Sequence, residues 1–160
     1  MIQREEVAKL SEIKDEIRQI LKEVLEEILT RFRKELVSVV LFGSYARGSP
    51  HQRSDVDLIV IVENLPQGWR ERGALELSIE QLGLKLGRAI QVILMEPADV
   101  RYSTENIAPL MLEIHDAHFC LFDRENFFQR EMVRFSEDLE KRGVRKLGPH
   151  KWEVPVYASS

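Results

Sequence analysis

Two acids and a glycine–serine turn are the residues of this chain whose types and spacing can do chemistry. Asp55 and Asp57 stand two apart at the head of the run Asp55-Val56-Asp57-Leu58-Ile59-Val60-Ile61-Val62. On a strand, residues i and i+2 share a face, so the two carboxylates project together, about 7 Å apart at Cα. Like charges that close repel unless a cation lies between them. Mg²⁺, or Mn²⁺, suits the position, because such hard ions take a few carboxylates together with phosphate oxygens and water. Gly43-Ser44 halts the preceding apolar run, Leu36 to Phe42. Glycine lets backbone N–H groups approach an anion closely, and Ser44 adds a hydroxyl donor. A phosphate binder beside a metal binder is what a metal–nucleoside triphosphate requires. Either half alone is common turn chemistry. Their pairing at a fixed spacing carries the information.

Other polar residues weigh less. Arg47 and Arg53 flank the acids and can contact phosphates, although an ion pair with a nearby acid serves Arg47 equally well. Ser54 fits a turn-fixing role before Asp55. His51 reads as an exposed loop residue. His115 and His118 lack a third ligand at zinc spacing, and Trp69 and Trp152 read as packing anchors. The basic cluster Lys141, Arg142, Arg145, Lys146 and Lys151 reads as a solvated tail.

The elements that must position these groups follow from periodicity. From Glu5 to about Lys34 the chain has no Gly or Pro, and Val7, Leu10, Ile13, Ile17, Leu21, Val24, Leu25 and Ile28 recur at helical spacing. This predicts one long N-terminal helix, or two with Ser11 as a cap, and a surface for a partner or second copy. Leu36–Phe42 and Asp55–Val62 read as strands. A helix is expected from about Gly68 to Leu86 and a third strand at Arg88–Met95. A helix around 106–115 tolerates Pro109 only in its first turn. His118–Phe122 reads as a fourth strand. Asp123 can cap a last helix with Phe128, Met132, Phe135 and Leu139 inside, and an edge strand is expected near Val154–Tyr157. The order predicts an α/β fold: a small mixed β-sheet with packed helices. We expect one domain over 1–160, with a core of about 12–122 and a C-terminal helix and tail over 123–160.

Leu41-Phe42-Gly43-Ser44-Tyr45-Ala46-Arg47-Gly48, followed by Ser54-Asp55-Val56-Asp57, resembles the signature of the DNA polymerase beta-like nucleotidyltransferase superfamily, in its minimal nucleotidyltransferase branch. The match is tight over 36–62 and runs by order of elements to about 122. The resemblance implies metal ions on Asp55 and Asp57 as catalytic acids. It implies a triphosphate, ATP by preference, at Gly43, Ser44 and Arg47. It also implies transfer of a nucleoside monophosphate, AMP in the first instance, to a protein or small-molecule acceptor. Relatives of this size often work beside a small helical protein, sometimes as the antitoxin of a toxin–antitoxin pair; a homodimer is the other expectation. The family usually carries a third carboxylate on a later strand, and the matching position here is Gln91, a neutral side chain that takes no proton at neutral pH. Glu96 has the wrong strand parity relative to Gln91 and Asp99 lies beyond Pro97, so either would have to reach in through a loop; a partner chain is another source. The alternative reading is therefore a catalytically impaired nucleotide-binding protein that acts by binding a partner.

Bulk composition narrows the class. The 160 residues are 44% hydrophobic and 31% charged, with a net charge of −4, as in ordinary globular domains. The acidic balance argues against a nucleic-acid partner. Cys120 is the single cysteine, so no disulfide forms within the chain, and it reads as a buried thiol. No run is long enough to span a bilayer and the N-terminus has no signal-like stretch, so no membrane role and a cytoplasmic location are expected.

Overall fold

The computed structural model describes residues 15–50 and 54–156. Helix α1 (Asp15–Phe32) buries Ile17, Leu21, Val24, Leu25 and Ile28, one residue per turn of a single stripe. That stripe packs on the chain's own core. Val7, Leu10, Ile13 and the Ser11 cap lie outside the described residues. A short turn of 3-10 helix, Arg33–Glu35, leads into β1 (Leu36–Phe42), which is buried at every position. Helix α2 (Gly43–Arg47), β2 (Val56–Val62), α3 (Trp69–Lys85) and β3 (Ile90–Met95) follow. Then come α4 (Pro97–Glu105), α5 (Pro109–Asp116), β4 (Phe119–Asp123) and α6 (Phe127–Lys141), and last β5 (Arg145–Gly148) and β6 (Lys151–Glu153).

The sheet order is β3-β2-β1-β4. β2 and β3 are parallel, joined by the crossover helix α3, while β1 is antiparallel to both β2 and β4. A mixed sheet with helices on it is the expected class. Both faces are covered, which is why the strands read as continuous apolar runs. Val56, Leu58, Val60 and Val62 pack with α1 and Ile79 of α3. Ile59 and Ile61 pack on the other side with residues of α4, α5 and α6. By the same alternation Asp57 and Gln91 lie on the second face, the side of α5. The outer edge of β3 is occupied by side chains: the Val92 and Leu94 N–H groups donate to Glu80 and Glu76 of α3 at 3.0 and 3.1 Å.

Several expectations are corrected. Helix α4 was not foreseen; Glu96 and Asp99 form a reciprocal capping box at its start, with Pro97 at the first helical position. Pro109 opens α5, the one place where a helix tolerates it. Asp123 does cap α6, accepting from the Phe128 and Gln129 N–H groups at 2.8 and 3.0 Å, and it also receives the buried Ser38 hydroxyl at 2.6 Å. The edge strand expected at Val154–Tyr157 is instead the β5–β6 hairpin, whose second strand ends at Glu153; Tyr157 lies outside the described residues. The basic tail is tied down: Arg142 pairs with Asp138, Arg145 with Glu153, and Lys146 with Asp116. Trp152 packs against the second core cluster, whereas Trp69 is 77% exposed with Arg70 over its ring, and so anchors nothing. Among the described residues no helix is long and apolar enough to cross a membrane.

Candidate active site

The register brings the singled-out residues to one end of the sheet. Phe42, the last residue of β1, is opposite Asp57, and Asp57 is opposite Gln91 on its other side. Gly43 therefore leaves β1 directly against the Asp57 side chain. A methyl group at Gly43 would collide with the Asp57 carboxylate, with Cγ only 3.0 Å and Cβ 3.3 Å away. The backbone there has φ +76°, a conformation that L side chains avoid. Ser44 opens α2, its carbonyl accepting from Ser49 N–H at 3.0 Å, and Gly48 ends the helix at φ +74°. Buried Tyr45 pins this helix to the core.

Asp55 immediately precedes β2, and its carboxylate accepts from the Gln91 amide at 3.3 Å. The Asp57 carboxyl is pushed above its ordinary value, first by burial and then by the neighbouring Asp55 charge, with the Arg47 guanidinium pulling the other way. Two neighbouring carboxylates beside the Gln91 amide and a glycine turn form a donor set suited to a hard divalent cation. Arg47 Nη1 lies 3.7 Å from Glu113 of α5. Ser54 is buried before the acids, while His51 and Arg53 lie outside the described residues.

A family model for the nucleotidyltransferase domain matches residues 10–114, a span that contains every one of these groups. The chain belongs to the nucleotidyltransferase domain family. A Methanocaldococcus jannaschii relative, provisionally named as a protein adenylyltransferase, is 35% identical over 123 residues, covering 76% of this chain and 82% of the relative. A second from the same organism, provisionally named in the same way, is 45% identical over 51 residues, or 32% of this chain and 52% of the relative. Among solved structures, a toxin–antitoxin complex with AMP-PNP is 19% identical, with 76% of this chain and 91% of that chain covered at a TM-score of 0.49.

Gln91, the residue matched above with the family's third carboxylate, lies level with Asp57 and is bonded to Asp55. Glu96 and Asp99 do not substitute. They sit at the far end of β3, where the Arg72 guanidinium reaches Glu96 at 2.8 Å and Asp99 at 3.5 Å. His115 and His118 serve packing: their rings meet Phe135 and Phe128 edge-on, and burial lowers the pKa of both. Two residues escaped the sequence reading. Glu113 reaches Arg47 from α5, and His150, in the β5–β6 turn, donates to the same Glu113 oxygen at 2.8 Å. No local motif marks either of them.

Proposed function

We propose that this nucleotidyltransferase transfers AMP from ATP to a hydroxyl of a protein or small-molecule acceptor. The observation that carries the reading is the seat of Gly43 against Asp57, which sets a close-approach turn and a carboxylate pair side by side. In this reading Asp55 and Asp57 hold Mg²⁺ or Mn²⁺, and Gly43, Ser44 and Arg47 hold the triphosphate. The acceptor oxygen bonds to the α-phosphorus as the bond to the β-phosphate oxygen breaks. Pyrophosphate leaves and the hydroxyl proton passes to solvent. Bound metal would supply charge neutralisation to the phosphates. The name of the archaeal relative, at 35% identity over most of its length, supports AMP as the group and protein as the acceptor. A small helical protein in an antitoxin-type pairing belongs to the same proposal.

Gln91 favours a second reading, in which the pocket binds nucleotide and the protein acts by association with a partner. Its amide cannot accept the proton of the attacking hydroxyl. One experiment separates the two. Labelled ATP, Mg²⁺ or Mn²⁺ and the product of the adjacent gene are incubated with the chain, and transferred label is measured. A non-hydrolysable triphosphate is titrated in parallel. Metal-dependent binding that is lost in Asp55→Asn/Asp57→Asn is expected in both readings; covalent label distinguishes the first. Tight binding unaffected by the double change would refute the site.

A further inference from the structure

Arg47, Glu113 and His150 form a contiguous row across α2, α5 and the hairpin turn. Arg47 stands on α2, the helix packed beside β2 and the acid pair, and its ion pair with Glu113 Oε2 spans 3.7 Å without a hydrogen bond. His150 Nδ1 takes that same oxygen at 2.8 Å. Glu113 therefore spends its directional bond on the hairpin and its charge on Arg47, which leaves the guanidinium's donors available to a phosphate. An open groove of about 380 Å³ runs beside Glu113 and His150, walled by Ile107, Pro109, Leu112, Trp152 and Val154. The family match ends at residue 114, so Glu113 lies within the family domain while His150 comes from the segment after it.

We propose that Glu113 is the positioning residue for Arg47, and that the C-terminal hairpin holds Glu113 in place through His150. This rests on the reading above that Arg47 meets the triphosphate. An arginine side chain is long and rotamer-rich, so an acid that restrains it without capping its donors preorganises a phosphate contact.

The test uses the full chain with Mg²⁺ and two probes, a non-hydrolysable ATP analogue and AMP, titrated by calorimetry. Glu113→Ala is expected to weaken the analogue about tenfold, the scale of one hydrogen bond to a charged group, and to leave AMP within about twofold. His150→Ala should weaken the analogue in the same direction, and His150→Gln, which keeps a donor, should restore it. In an Arg47→Ala background, Glu113→Ala should have no further effect, because the acid acts only through the arginine. A merely structural Glu113 would instead give additive losses and equal losses for the two probes. That result, or a Glu113→Ala variant binding the analogue as well as wild type, would overturn the proposal. If His150→Ala binds normally, the hairpin's part in it is overturned. Absence of wild-type binding would remove the nucleotide reading itself and this inference with it, whereas wild-type binding indifferent to Glu113 would remove the inference alone.

Discussion

Gly43 and Gly48 make a matched pair for testing whether the turn and the acid really abut. Their φ angles are +76° and +74°, so a side chain at either costs similar backbone strain, about 1–2 kcal/mol. Part of that is offset because alanine also narrows the unfolded ensemble. Their surroundings differ. Nothing lies within 4 Å of a methyl group built on Gly48, whereas one on Gly43 strikes the Asp57 carboxylate. Gly48→Ala should therefore cost about 1 kcal/mol, a fall in melting midpoint of roughly 2–4 °C for a chain of this size. Gly43→Ala adds the cost of overpacking, about 1–3 kcal/mol, for a total fall of roughly 4–16 °C. It should also weaken metal–triphosphate binding at least about tenfold, because the carboxylate must leave its place. In an Asp57→Ala background the carboxylate is gone and only the 3.3 Å approach to Cβ remains, so most of the excess of Gly43→Ala over Gly48→Ala should disappear. Thermal unfolding and calorimetric titration of these variants suffice. Equal losses of stability at the two glycines, with binding intact in both, would refute the geometry on which the site is built.

Other substitutions probe the site and its supports. The Asp57 carboxyl is raised above 3.8 in the folded chain, so metal-free stability falls as pH rises from that value through the folded one, and the cost is fully present above it. Metal-free Asp57→Asn should accordingly unfold at higher denaturant than wild type at pH 7, with the gap closing below pH 3.8; a less stable variant at pH 7 would contradict this. Gln91→Asp places a third carboxylate level with Asp57 and should tighten Mg²⁺ about tenfold in calorimetry while lowering metal-free stability. Unchanged affinity would show that position 91 does not face the ion. Asp123→Ala strips two N–H acceptors from α6 and one from buried Ser38. It should cost about 2–4 kcal/mol in denaturant unfolding with nucleotide affinity unchanged.

The site's core was legible because it is local. Counting by twos along Asp55–Val62 puts both acids on one face, whereas Gln91 was singled out by the family resemblance, and the register sets it level with Asp57. The β1–β2 register then required no foresight beyond two adjacent apolar runs. What escaped is what distance in sequence conceals. Glu113 and His150 are 37 residues apart, and meet through the packing of a hairpin whose strands are polar and show no alternation. Helix α4 buries only Val100 and Thr104, too short a stripe for periodicity to register, and Pro97 at its head reads as a turn until the capping box is seen. Trp69 shows the converse error. Large apolar side chains are usually inside, but this one sits at the exposed start of a helix, where nothing arrives to cover it.

The glutamates that Val92 and Leu94 meet along the rim of β3 have a consequence for how other molecules can bind. An open rim is a template on which an extended peptide, or another copy's strand, can lengthen the sheet. With Glu76 and Glu80 already bonded to those amides, an incoming strand would have to evict two carboxylates to complete its ladder of main-chain bonds. Recognition along this side must therefore proceed through side-chain shape and charge, and runaway stacking of one chain on the next is discouraged at its starting point.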